Sequence, residues 1–211
     1  MQDTRKARQV LSPVYTVAGA QDGSFEPFRR GYGRSIQYTS LCLTRLRGSV
    51  IQGVRLARVT VDGLDATEAL LNILGSWETD ALILGGATFA GFNVVDVQRV
   101  NRETETPVIV FSGECPDMEA TKDALRKHFP DWRERWSRYE ALGEIHSLKI
   151  GTYPPAYYEN IGCSKGFTED VLGEQAISCR TPECVRVADL IAKGVSPVFR
   201  GPAGCSGSSS G

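Results

Sequence analysis

LILGGATFAGFNVVD, residues 82–96, is the stretch on which the reading of this chain turns. Ala81 to Leu84 is an apolar run of strand length, and Gly85-Gly86 follows it directly. From about Val94 to Asn101 the spacing predicts a short amphipathic helix. In an α/β domain, ligands and catalytic groups gather where a strand ends in a glycine-rich loop. Here the tip of that loop is Gly85-Gly86, with no side chain able to do chemistry.

Outward from this stretch, the N-terminal side reads as strands. Val14 to Ala18 is a short β-rich run ending in the turn GAQDGSF, and Ile36 to Arg45 alternates. Val50 to Val61 alternates too, and Arg47-Gly48-Ser49 turns the second pair, so the three form an antiparallel meander. Asp65 to Leu74 then places Ala66, Ala69, Leu70 and Ile73 on one helical face, with Asp65 and Glu68 resembling a capping box.

On the C-terminal side, Pro107 to Ser112 (PVIVFS) is a fully buried strand. Asp117–Phe129 and Asp131–Leu142 are helices separated by Pro130, followed by strands over Ile145–Ile150 and Ala156–Ile161. Helices over Lys165–Glu174 and Pro182–Lys193 close the pattern, with Pro182 in a first turn and Gly194 as C-terminal cap. A single domain over residues 10–197 is expected, with flexible tails at 1–9 and 198–211.

Twenty-four basic and 25 acidic side chains leave the chain near neutrality, unlike a strongly basic nucleic-acid binder, although a local basic patch is compatible with it. No apolar run approaches the roughly 20 residues that span a membrane, and the N-terminal residues lack an apolar signal core. A cytoplasmic protein without membrane contact is therefore expected. The six cysteines are scattered without a CxxC pair, and only two histidines are present, which argues against structural zinc and for reduced thiols. No GxSxG, P-loop or dinucleotide fingerprint is present.

Three antiparallel strands, a helix, then strands alternating with helices make a mixed α/β sheet flanked by helices. The order resembles the ribonuclease H-like pattern, in which metal-binding carboxylates lie on the first strand, the fourth strand and a late helix. Four strings carry a more specific resemblance: VTVDGLDATE (59–68), TFAGFNVVD (88–96), PDMEATKDALRKHFPDWRERW (116–136) and PECVRVADLIAKG (182–194). Together they resemble the archaeal family related to endonuclease V that is called endonuclease dU, over about Val14 to Val195. The resemblance implies a ribonuclease H-like fold, nucleic acid with deaminated bases as partner, and phosphodiester cleavage that uses Mg²⁺ or Mn²⁺.

The departures from that family are as informative as the matches. Its members resemble GIDDGPF where this chain has GAQDGSF, so Gln21 replaces an acidic residue and Asp22 remains. They resemble LDGITFAGFNVVD where this chain has Gly85, and RVAHLIA where it has Asp189. Two-metal phosphodiester cleavage needs converging carboxylates, and Mg²⁺ requires ordered anionic oxygens. Impaired cleavage is therefore expected, with two readings open: a nuclease with a rebuilt site, or an inactive nucleic-acid-binding or protein-interaction module.

Asp22, Asp62, Asp65 and Asp189 are the candidates for a rebuilt site, with Glu68, Asp96 and Glu183 as further carboxylates. Asp62-Gly63 can equally shape a turn and Asp65 cap the next helix, and Asp189 can be a solvated helix position. Arg29, Arg30 and Arg34 in FRRGYGR, with Gly86, Thr88 and Asn93, are candidate nucleic-acid contacts. Gly85, Gly86 and Gly91 can bring backbone amides to a phosphate or serve tight packing, and Thr88 and Asn93 can cap a helix. Arg126, Lys127, Arg133, Arg135 and Arg138 stand among Trp132, Trp136 and Tyr139, whose helical stripe reads more readily as core than as a base platform.

Overall fold

A computed structural model of the protein describes residues 13–26 and 36–199. Strand β1 (Thr16–Asp22) pairs antiparallel with β2 (Tyr38–Arg47), which pairs antiparallel with β3 (Val50–Thr60) across the turn at Gly48-Ser49. Helix α1 (Ala66–Leu74) leads into β4 (Ala81–Leu84), which lies parallel to β1. A small antiparallel hairpin, β5 (Thr88–Phe89) with β6 (Asn93–Val94), precedes α2 (Val97–Thr104).

Strand β7 (Val108–Ser112) runs parallel to β4. Helices α3 (Met118–His128) and α4 (Trp132–Glu140) follow, then β8 (His146–Leu148) and β9 (Ala156–Ile161). Strand β9 is antiparallel to both β7 and β8. The chain continues through α5 (Lys165–Gln175) and α6 (Glu183–Phe199). The main sheet has the order β3-β2-β1-β4-β7-β9-β8, the expected meander joined to a parallel centre.

Period-two alternation splits this sheet between two cores. Ala18, Ala20, Leu82, Leu84, Val108 and Val110 face one side, where Leu70, Leu74, Val97 and Val100 of α1 and α2 cover them. Val17, Ala81, Ile83, Ile109 and Phe111 face the other, under Val171 and Leu172 of α5 and Cys184 and Val185 of α6. Strands β4 and β7 are covered on both faces, which is why they read as unbroken apolar runs. No helix among the described residues is long and apolar enough to cross a membrane.

Three elements depart from the sequence expectation, each for a tertiary reason. The helix expected from Val94 begins at Val97, because Asn93 is buried within the hairpin and Val95 N–H donates to Ala87 O at 3.0 Å. Asp96 then caps α2, accepting the Arg99 N–H at 2.9 Å. The last helix does not stop at Gly194 but runs to Phe199. Ala188, Ala192 and Ser196 repeat at intervals of one turn and stay buried, so packing against β1 and β2 outweighs the glycine signal. In α4 the buried residue is Arg135, while Trp132 and Trp136 are only half-buried.

Candidate functional site

The C-terminal ends of β1 and β4 lie side by side. Ala20 is in register with Leu84, and the Gly85 N–H donates to Ala20 O at 3.0 Å, so Gln21 and Gly85 are direct neighbours. Gln21 Oε1 is buried and has no hydrogen-bond partner. An unpaired buried acceptor costs about 1–3 kcal/mol. Asp22 emerges on the opposite face, where its carboxylate accepts the Ala90 N–H at 2.5 Å. Burial raises the Asp22 carboxyl above the ordinary carboxylate range and the Asp189 charge adds to this, while the Ala90 N–H and Lys193 oppose it. Asp189 itself is ion-paired with Lys193 at 2.9 Å.

This set of donors does not fit a hard divalent cation. It offers one neutral carboxamide oxygen, one carboxylate bonded to a backbone amide and one carboxylate paired with a lysine. Among the described residues, no group of three or more His, Cys, Asp or Glu side chains converges to hold a metal ion.

Asp62 and Asp65 are engaged in building the loop beside these strand ends. Asp62 sits at φ 57°, donates its N–H to Ala90 O at 2.8 Å and accepts the Phe92 N–H at 3.0 Å. The loop residue facing it is Gly91, at φ +87°, where a Cβ would come within 2.3 Å of Asp62 Oδ1. Asp65 occupies the N-cap position of α1 without capping it; its carboxylate accepts Thr60 Oγ1–H at 2.7 Å and Asn93 Nδ2–H at 2.6 Å.

The capping bond comes from Asn93, whose Oδ1 accepts the Ala66 N–H at 3.0 Å. Asn93 Nδ2 also donates to Thr60 O at 2.9 Å. Asn93, expected at a nucleic-acid surface, is thus fully buried and committed to the α1–β6 junction. Arg29, Arg30 and Arg34 lie outside the described residues.

Arg135 ties the loop together. Its Nη1 donates to Gly63 O at 2.8 Å and to Phe92 O at 2.6 Å, and its Nη2 donates to Asp62 O at 3.0 Å. Asp131 accepts from Nε at 3.1 Å, and the Arg135 hydrogen bond holds its carboxyl below the ordinary range. The guanidinium also stacks 4.3 Å from the Phe129 ring centre. The sequence named this residue only as one of five basic side chains among aromatics, because the three carbonyls it satisfies lie 43 to 73 positions away.

Between the hairpin and the α3–α4 pair opens a cleft of about 350 Å³, lined by Phe25, Asp62, Thr88, Gly91, Phe92, Thr121 and Tyr139. Asp62 and Thr88 meet there as candidates named from sequence. Phe25 was not singled out, although it stands in the quoted turn GAQDGSF, and Tyr139 was read as part of a core stripe. The Tyr139 hydroxyl is hydrogen-bonded to Thr88, and burial pushes its pKa up to about 12. Phe25 is held by its own loop: Gly23 N–H donates to Ser40 O, Ser24 N–H to Ser196 Oγ at 2.8 Å, and Thr39 Oγ1–H to Ser24 O at 2.9 Å. The extended end of α6 therefore positions one wall of the cleft. Gly86, at φ +139°, continues the turn from Gly85 without lining the cleft.

The family model for endonuclease dU matches residues 13–196. The chain belongs to the endonuclease dU family. Among related proteins, a UPF0215 protein of Pyrococcus furiosus is 38% identical over 189 residues, covering 88% of this chain and 92% of its own length. One from Methanothermobacter thermautotrophicus is 35% identical over 194 residues, covering 90% and 91%. The crystal structure of a protein of unknown function from Archaeoglobus fulgidus superposes with a TM-score of 0.74 at 29% identity, over 86% of this chain and 98% of that one.

Endonuclease V of Ciona intestinalis, solved in complex with a DNA 24mer containing an inosine followed by a ribo-adenosine, superposes with a TM-score of 0.54 at 14% identity, over 86% and 85%. That likeness identifies the fold of this endonuclease dU family member as ribonuclease H-like.

Proposed function

We propose that the protein binds nucleic acid carrying a deaminated base through the Phe25–Tyr139 cleft, and that phosphodiester cleavage is impaired in it. The observation that carries this reading is the neutral Gln21–Gly85 pair at the ends of β1 and β4, next to a cleft that still has aromatic walls. Phe25, Phe92 and Tyr139 offer stacking surfaces to a planar ring, and base–aromatic stacking contributes roughly 1–3 kcal/mol per base. Asp62, Thr88 and Thr121 supply polar atoms at the same wall, the kind of groups that orient a ring by its edge.

Of the four carboxylates considered for a rebuilt metal site, Asp62 and Asp65 are bonded into the hairpin support, and Asp22 and Asp189 remain within electrostatic reach of each other. Cleavage with Mg²⁺ or Mn²⁺ would have to run through those last two. The testing experiment compares nicking and binding of duplex and single-stranded oligonucleotides containing uracil or inosine, with Mg²⁺, with Mn²⁺ and with chelator. Salt-sensitive binding without nicking is expected. Multiple-turnover nicking by the wild-type protein would refute the impaired-cleavage reading, and no binding in any condition would refute the cleft assignment.

A further inference from the structure

Gly85 has no room for a side chain. A Cβ there would stand 2.5 Å from Gln21 Oε1, 3.0 Å from Gln21 Cδ and 2.9 Å from Val185 Cγ1 of α6. The space between the two strand ends is thus taken by the carboxamide of Gln21 on one side and held by Val185 on the other. The carboxamide gains no hydrogen bond at Oε1 in return. A side chain at 85 can enter only if the end of the Gln21 side chain and the Val185 methyl give way, so the identities at the two positions depend on one another.

We infer that Gln21 and Gly85 form one steric unit, a built-in plug that closes the place between β1 and β4 to a divalent cation and lets an anionic ligand approach without one. This rests on the reading of the neighbouring cleft as a nucleic-acid site. The electrostatics point the same way. A cluster of bare carboxylates would repel a phosphate until a metal ion neutralised it. Here position 21 is neutral, position 85 has no side chain, Asp22 is buried against the Ala90 N–H, and Asp189 is paired with Lys193. The Asp189 charge is already neutralised within the chain, by the Lys193 ammonium at 2.9 Å.

The experiment uses the full chain as wild type, Gly85→Ala, Gln21→Ala and the double Ala variant, with the pair Gly85→Asp and Gln21→Asp/Gly85→Asp beside them. Three readouts are followed: melting temperature, free Mn²⁺ by electron paramagnetic resonance, and anisotropy of a labelled uracil-containing oligonucleotide in Mg²⁺ and in chelator at matched ionic strength. Wild type is expected to take up no stoichiometric Mn²⁺, and its oligonucleotide affinity should agree within about twofold between Mg²⁺ and chelator.

Gly85→Ala should lower the melting temperature by roughly 3 °C or more in the wild-type background, and by clearly less when Gln21 is already Ala. Gln21→Asp/Gly85→Asp should acquire a Mn²⁺ site that Gly85→Asp alone lacks. Stoichiometric Mn²⁺ uptake by wild type, a tenfold or greater gain in affinity on adding Mg²⁺, or strictly additive Ala effects would each overturn the inference. If no protein binds the oligonucleotide, the cleft assignment fails, and the plug is still decided by the melting and Mn²⁺ results. Those two also decide it if the double Asp variant does not fold.

Discussion

Replacing Arg135 by Met, which keeps most of the apolar stem, should loosen the cleft from beneath. Arg135 is 5% exposed and satisfies the carbonyls of Asp62, Gly63 and Phe92, whose loops form adjoining walls of the cleft. Hydrogen bonds to a charged donor contribute about 1.5–3 kcal/mol each, but water can reach part of the vacated site, so the three together are worth ~3–5 kcal/mol. The ion pair with Asp131 is left out of that figure, since Asp131 is about one-third exposed and solvent screens it. For a chain of this length the loss corresponds to roughly 6–20 °C in melting temperature.

Urea and thermal melts followed by circular dichroism would measure the loss, and Arg135→Lys should recover less than half of it, because an ammonium cannot span three carbonyls in a plane. Oligonucleotide affinity should fall in the same variants. A destabilisation below about 1 kcal/mol, with the expected 3–5 absent, would refute the view that Arg135 is the clamp of this loop.

Other consequences follow from buried polar groups elsewhere. Asn93→Ala should cost ~2–4 kcal/mol in urea denaturation, since it orphans the Ala66 N–H and removes the Asn93 donor from Asp65; Asn93→Asp should cost more by facing two carboxylates together. Tyr139→Phe removes the hydroxyl bonded to Thr88 at the cleft wall, so oligonucleotide affinity should drop about fivefold while the melting temperature moves by less than ~3 °C.

Glu159 on β9 is 3% exposed, and burial pushes its carboxyl up to about 7. The unfolded chain releases this proton near pH 4.3, so between that pH and about 7 the folded state holds more protons, and stability falls as pH rises through the interval. Glu159→Gln should therefore stabilise the protein by ~2–3 kcal/mol at pH 8.5 and leave it almost unchanged at pH 4.5, as read from paired melts. An equal effect at both pH values would contradict a neutral buried Glu159.

The fold was legible where its signal is local. β4 and β7 announce themselves as short unbroken apolar runs because both faces are covered, and the antiparallel trio as alternating runs with a glycine turn. The adjacency of positions 21 and 85 was also readable through the family resemblance, and the register of Ala20 with Leu84 bears it out. Asp65 shows the limit. Its position before α1 suggests a cap, yet the hairpin residue Asn93, 27 residues beyond Ala66, arrives at the helix end first and leaves Asp65 to Thr60. Trp132 and Trp136 show it again: their stripe suggested core, and the core position one residue before Trp136 went to Arg135.

By itself the sequence determined the order and type of most elements, since periodicity is a property of neighbouring positions, while the family resemblance set the expectation of acidic residues where Gln21 and Gly85 stand. Only the tertiary structure decided which polar side chains face the cleft and which are committed to distant backbone, because a hydrogen bond between Arg135 and Asp62 joins residues 73 apart. The same holds for Gln21 and Gly85. Gln21 lies in β1 and Gly85 directly follows β4, and only the pairing of those strands brings the Gln21 carboxamide to the place a side chain at 85 would occupy.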